Sequence, residues 1–159
     1  MACTIARSPG HLLPPRRGVY QGIGLFAPVE YRPPVELADE RFPLLLTTGR
    51  RLPHYHTGSL THRVKGLSAV LDQEMVQIDP ADASKLGVTQ GEQERISSRH
   101  GKVVALVEIT TDVQPGVVFM DFHFAESPTN ILTTSTLDPV PKISELKVCA
   151  VRVDRVTVS

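Results

Sequence analysis

The chain has 159 residues, 41% of them apolar and 21% charged, with 17 Lys and Arg against 17 Asp and Glu and so no formal net charge. That length fits one domain able to bury a core without staples. Balanced charge argues against a general nucleic-acid binder, which must neutralise phosphates, and the pattern excludes a collagen, a coiled coil and a membrane span.

Residues 1–23 read as an irregular arm, because Pro9, Gly10, Pro14, Pro15 and Gly18 break every periodic pattern. No acid precedes Glu30, so the arm is locally basic. Pro, Arg and Gln interrupt any apolar export region. Arg16-Arg17 has the look of a twin-arginine signal, but the stretch after it is short and contains Gln21. Cys3 and Cys149 lie near opposite ends and form neither a disulfide framework nor a CxxC motif. A reducing, cytoplasmic location without membrane insertion is expected.

From residue 24 to 159 the sequence predicts a small closed β-barrel with long loops. Phe42 to Leu46 reads as a buried strand ending at Thr47-Thr48-Gly49. From Gly49 to Leu67 periodicity is lost, predicting a long loop with at most one helical turn; loops of that length are usually functional. Met75 to Ile78 is the next strand. Asp79 as N-cap, Pro80 at the first helical position and Gly87 as the stop define a short helix over 81–86. Gln93 to Arg99 and Lys102 to Ile109 flank His100-Gly101 as a hairpin. Gln114-Pro115-Gly116 is a turn feeding a strand over 117–120. Residues 121–144 are irregular, and a last strand falls within 146–158. The count is six to seven strands with one or two short helices.

The segment from Arg41 to Leu71 contains no Asp or Glu. It holds Arg50, Arg51, His54, His56, His62, Arg63 and Lys65, interleaved with Thr47, Thr48, Thr57, Ser59 and Thr61. Gly49 and Gly58 would admit a close backbone approach. Hydroxyls, backbone N–H groups and guanidinium are what phosphate oxygens require. The competing possibility is a solvated basic loop balanced by acids folded nearby. His54-x-His56 invites a metal, but no Cys or carboxylate stands close enough in sequence to complete a shell, and guanidinium groups would repel a cation. Asp121 beside His123 is more often a structural hydrogen bond than a catalytic dyad. No nucleophile elbow is evident.

The segment LTTGRRLPHYHTGSLTHR at 46–63 resembles the TGR…HWHTGxMTRR loop in the large subunits of molybdenum- and tungsten-dependent formate dehydrogenases and related nitrate reductases. The resemblance continues through VQIDPADASKLGV at 76–88, ISSRHGKV at 96–103 and PGVVFMDFHFAESPTNILTTSTLDPVPKISELKVCAVRV at 115–153. Upstream, GLFAPVEYRPPVELADERFPLLLTTGR at 24–50 also looks like that family's lead-in. FHFAESPTNILT and KISELKVCAVRV lean towards formate dehydrogenase. The resemblance implies the C-terminal domain over the bis-molybdopterin guanine dinucleotide cofactor, a double-psi β-barrel. Position by position it implies cofactor contacts from Thr48, Gly49, Arg50, His54, His56, Thr57 and Thr61, then from His123, Asn130 and Lys147. If the segment is extended, His54 and His56 share one side as donors and Tyr55 packs on the other.

Tyr55 stands where the family has Trp, Leu60 where it has Met, and His62 where Arg is common. Glu94 occupies a strand position the family generally fills with an apolar residue, which an outward-facing side chain would accommodate. The family's metal-ligating Cys or selenocysteine, its adjacent His and its iron–sulfur cysteines have no counterpart here. The implied cofactor, carrying Mo or W, is therefore shared with a parent enzyme, and the isolated chain is expected to hold none. Its partners would be the remaining catalytic and iron–sulfur domains, and alone it would be inactive. The alternatives are a nitrate reductase C-terminal domain, or a stand-alone barrel that binds another nucleotide or a protein.

Overall fold

A computed structural model describes residues 28, 30–138 and 142–156. The predicted arm, 1–23, lies outside them. Residues from Pro34 onward form a compact unit with six strands: β1 (Leu44–Thr48), β2 (Met75–Ile78), β3 (Gln93–Ser98), β4 (Lys102–Ile109), β5 (Val117–Met120) and β6 (Val148–Arg155). Two short helices accompany them, α1 (Lys65–Ser68) and α2 (Pro80–Leu86). The strands close into a barrel in the order β1-β5-β2-β4-β3-β6. Two pairs are parallel, β1 with β5 and β2 with β4; the others are antiparallel. This is the double-psi β-barrel.

Alternation along each strand explains the closure. Leu44, Leu46, Val76, Ile78, Ile96, Val103, Val107, Val118, Met120, Val151 and Val153 are buried and meet in one core. The barrel leaves no exposed sheet edge to aggregate. The helix α2 forms for the reasons its sequence gave: Asp79 Oδ1 accepts from the Ala81 N–H at 2.8 Å, and Gly87 adopts φ 68° at the C-terminus. The hairpin turns at Arg99-His100, where Ser98 Oγ accepts from the N–H groups of His100 and Gly101.

Boundaries moved for physical reasons. β1 starts two residues later than predicted, because Pro43 has no N–H to give a ladder, and ends as expected at Thr48, which pairs with Met120. The loop after it contains a 3-10 turn (Thr61–Arg63) as well as α1, so it carries two helical turns where one at most was predicted. Glu94 does not face solvent. It is 2% exposed, in the inward-facing row with Ile96, and its Oε2 accepts from the Val156 N–H at 3.1 Å. Burial pushes its carboxyl above the ordinary value, against that hydrogen bond.

The lead-in to β1 is fastened by Glu36. Its Oε1 accepts from Arg99 Nη1 at 2.5 Å and from the Ala150 N–H at 3.1 Å, and its Oε2 meets His100 Nε2 at 2.8 Å.

Candidate functional site

The site grows from the end of β1. The Gly49 N–H donates to Met120 O at 3.1 Å, so the chain follows β5 for one residue more before leaving the sheet. A Cβ on Gly49 would sit 2.7 Å from Phe119 Cζ and closer still to Cε2. A side chain at 49 would thus have to displace an aromatic ring of the barrel itself.

The two arginines that follow part company. Arg50 is exposed, its guanidinium 5.2 Å from the centroid of the Tyr55 ring, and it forms no ion pair among the described residues. Arg51 turns back onto the barrel. Its Nη2 pairs with Glu108 Oε2, its Nη1 reaches the Met75 sulfur at 3.4 Å, and its Nε lies 3.9 Å from Asp121 Oδ2. The two possibilities left by the acid-free sequence are divided between neighbours: Arg51 is balanced by folded-in acids, and Arg50 is not.

Beyond Pro53 the segment is not extended. His56 has φ 49° and Gly58 φ 72°, and these left-handed residues coil the chain into tight turns. Alternation therefore fails. His54 is 2% exposed and Tyr55 is 56% exposed, the reverse of the expected packing of Tyr55. His54 Nε2 donates to Leu71 O at 2.7 Å, which leaves Nδ1 to accept from the Thr61 hydroxyl at 2.9 Å. Gly58 is needed because a Cβ would enter the His62 ring and lie 2.9 Å from His123 O.

His123 is likewise held by backbone. Its Nε2 accepts from the Arg51 N–H at 3.0 Å, so Nδ1 carries the hydrogen donated to His56 O. His62 Nε2 donates to His123 O at 3.0 Å, and its ring stacks on His54 with centroids 4.2 Å apart. His54, His62 and His123 gather round Phe124 as an aromatic base beneath the loop. Asp121 meets His123 as the structural hydrogen bond anticipated, with Oδ1 accepting from the His123 N–H at 3.2 Å.

At the rim, Thr48 Oγ1 donates to Leu146 O at 2.6 Å, and Lys147 Nζ donates to Thr48 O at 2.9 Å while lying 5.7 Å from the Phe122 centroid. Thr48, Gly49, Arg50 and Lys147 are thereby brought together. His56 and Thr57 are exposed on the loop. Asn130 is exposed on a 3-10 turn (Thr129–Leu132) whose Ile131 packs against Gly101 of the hairpin, so the fold ties it to the hairpin and not to the loop. Among the described residues, no group of three or more His, Cys, Asp or Glu could hold a metal ion.

Glu108 and Asp121, the partners of Arg51, and Glu74, which meets Asp121, were not anticipated in these roles. Glu74 and Asp121 are both buried, and the Asp121 N–H donates to Glu74 Oε1 at 3.1 Å. Burial, reinforced by the Asp121 charge, pushes the Glu74 carboxyl up to about 10. The available signal was an acid set directly against the apolar end of a predicted strand at 74–75 and again at 120–121.

A family model described as Molydopterin dinucleotide binding domain matches residues 44–150. The chain belongs to that family. It is 47% identical over 135 residues to F420-dependent formate dehydrogenase 2 subunit alpha of Methanococcus maripaludis, and 46% identical over 135 residues to F420-dependent formate dehydrogenase subunit alpha of Methanocaldococcus jannaschii. Each match covers 85% of this chain and 20% of the relative, so this domain spans about one fifth of their length. Among solved structures, acetylene hydratase from Pelobacter acetylenicus superposes with a TM-score of 0.68 at 15% identity, over 80% of this chain and 21% of that one. That likeness supports the fold alone.

Proposed function

We propose that this domain holds bis-molybdopterin guanine dinucleotide inside a molybdenum- or tungsten-dependent enzyme of the formate dehydrogenase type. The observation that carries the proposal is Arg50, an exposed cation without an acid partner among the described residues, on a loop whose other arginine is neutralised from below. The formate dehydrogenase names of its relatives supply the substrate class.

The residues present fit an anionic dinucleotide. Arg50 offers a planar fork of donors, His56 and Thr57 offer exposed donors further along the same loop, and the Lys147 ammonium keeps donors beyond the one given to Thr48 O. Thr48, Gly49, His54, Thr61 and His123 serve by holding the loop backbone in place, and Asn130 presents an amide from the hairpin side. When bound, the metal–pterin group supplies the two-electron chemistry of formate oxidation. The domain's own part is binding and orientation.

The rest of the enzyme, including the metal ligand and iron–sulfur clusters, is provided by domains outside this chain, in the cytoplasm. The exposed Leu52, Leu60 and Val64 provide apolar surface for such a partner. No helix among the described residues is long and apolar enough to cross a membrane.

The test is bound Mo or W and pterin per assembled complex. Arg50→Ala should lose about 1.5–3 kcal/mol of cofactor binding, the range for hydrogen bonds to charged groups, and Arg50→Lys should recover only part. Equal retention in wild type and Arg50→Ala overturns the proposal.

A further inference from the structure

Beneath the proposed binding loop, two carboxyl groups are packed together with a single guanidinium. Glu74 precedes β2 and Asp121 follows β5, and the antiparallel register of Val76 with Met120 brings them side by side at one end of the barrel. One oxygen of each has a defined partner: Glu74 Oε1 accepts from the Asp121 N–H at 3.1 Å, and Asp121 Oδ1 accepts from the His123 N–H at 3.2 Å. The other oxygens, Glu74 Oε2 and Asp121 Oδ2, are buried and have no donor within hydrogen-bond reach. Two ionised carboxylates would leave two orphan acceptors and a buried like-charge pair, both costly.

We infer that Glu74 is protonated at neutral pH, that it shares this proton with Asp121, and that the pair is the positioning element holding Arg51 under the loop. One added proton removes the like-charge repulsion and gives the orphan acceptors a common hydrogen.

The groups facing the pair leave the proton nowhere else to go. From the loop after β1, Arg51 Nε lies 3.9 Å from Asp121 Oδ2. From β4, Glu108 occupies the far side of the same guanidinium and itself accepts from Gln77 Nε2 at 3.0 Å. From the segment after β5, His123 presents Nε2 as an acceptor to the Arg51 N–H. One guanidinium therefore serves Asp121 and Glu108, and none is left for a third carboxylate. Burial and the Asp121 charge act in the same direction on Glu74.

The consequence reaches the loop through one residue. Arg51 is fixed by its side chain to Asp121 and Glu108 and by its N–H to His123, and its neighbour Arg50 points outward. The positioning role is independent of what the loop binds; only the description of the loop as a binding loop rests on the proposed function.

The experiment uses the full chain, Glu74→Gln, Glu74→Ala and Asp121→Asn. A Gln amide can reproduce the protonated acid: its oxygen accepts from the Asp121 N–H and its NH2 donates to Asp121 Oδ2. An infrared difference between wild type and Glu74→Gln at pH 7 should contain one carbonyl band of a protonated carboxyl; its absence overturns the inference. In Asp121→Asn that band should vanish at a lower pH than in wild type, and an unchanged midpoint overturns the sharing. Amide exchange at Arg51 should be unchanged in Glu74→Gln and about tenfold faster in Glu74→Ala; equal protection in both variants overturns the positioning role.

The pH profile gives a further readout. Because the folded carboxyl titrates above its unfolded value of 4.5, the folded chain binds more protons than the unfolded chain from there to about 10. Stability from this group therefore falls as pH rises through that window. Glu74→Gln should lack that part of the slope, so its stability relative to wild type should rise from pH 5 to pH 9. A constant difference overturns the inference. Buried Glu94 adds a slope of the same sign to both proteins and cancels in the comparison.

Discussion

Gly49 and Phe119 touch across the β1–β5 pair so closely that any side chain at 49 would have to displace the ring. The overlap is with a barrel residue, so Gly49→Ala should act on folding first. Overpacking of this kind costs about 1–3 kcal/mol, measurable as a shift in the urea midpoint without a change in slope. Phe119→Leu in the Gly49→Ala background should recover part of it. A Gly49→Ala chain as stable as wild type would show that the ring moves aside freely, and that the glycine is there for a ligand.

Arg50 and Arg51 are adjacent in sequence and opposite in role. Arg51→Ala removes the partner of Glu108 and the cation beside buried Asp121, and should lower stability by about 1.5–3 kcal/mol. Arg50→Ala removes an exposed cation resting on Tyr55, and should stay within about 0.5 kcal/mol of wild type. Chemical denaturation of the two variants in the same buffer measures the contrast. Equal losses would mean that Arg50 has a structural partner in solution.

Most of the barrel could be read from local pattern. The alternation at 75–78, 102–109 and 117–120 and the Asp79-Pro80…Gly87 signals each depend on neighbours in sequence, and the strands and helix fell where they placed them. The loop could not be read that way. Its direction is decided by His56 and Gly58, whose left-handed backbone turns His54 inward, and nothing in an HxH spacing shows a turn between the histidines. Arg51 is separated from Glu108 and Asp121 by more than fifty residues, so its neutralisation is a product of strand order. Glu94 is the converse case. Its strand was evident, but an outward face was expected of the acid, and the barrel's register places it in the buried row with Ile96.

Glu36 should make the lead-in acid-labile. Burial alone would raise its carboxyl, but hydrogen bonds from His100, Arg99 and the Ala150 N–H outweigh burial and hold it below the ordinary value. A carboxyl lowered in the folded state contributes stability that is fully present above its unfolded value of 4.5 and lost as pH falls through the folded value. Glu36→Gln should therefore be less stable than wild type at pH 7, and the gap should close on acidification below that range. Urea unfolding in steps from pH 7 down to the acid limit of the folded chain tests this; a gap that never narrows below pH 4.5 would mean that charge on Glu36 is not its source.

His54 and His56 offer the sharpest separation of support from binding. His54 is buried, and each ring nitrogen has a protein partner, Leu71 O on one side and the Thr61 hydroxyl on the other. His54→Phe keeps an aromatic ring but breaks both bonds: Leu71 O loses the His54 donor, and the Thr61 hydroxyl keeps only its longer contacts to Gly58 O and the Tyr55 N–H. The chain should lose about 1–3 kcal/mol, the cost of one buried acceptor left unsatisfied, and the Thr61 hydroxyl should exchange its proton with solvent more rapidly. His56 is exposed; its ring packs edge-on against Tyr55 and its backbone carbonyl accepts from His123 Nδ1. His56→Asn retains a residue tolerant of the left-handed backbone and should leave the denaturation midpoint nearly unchanged. In the assembled enzyme the order should reverse at equal folded concentration: His56→Asn should lower cofactor retention, whereas the folded fraction of His54→Phe should retain it nearly as wild type does. Measuring the denaturation midpoint and the bound pterin on the same preparations separates the two roles. If folded His54→Phe loses the cofactor while His56→Asn keeps it, the His54 ring turns outward on binding and the buried arrangement belongs to the free domain alone.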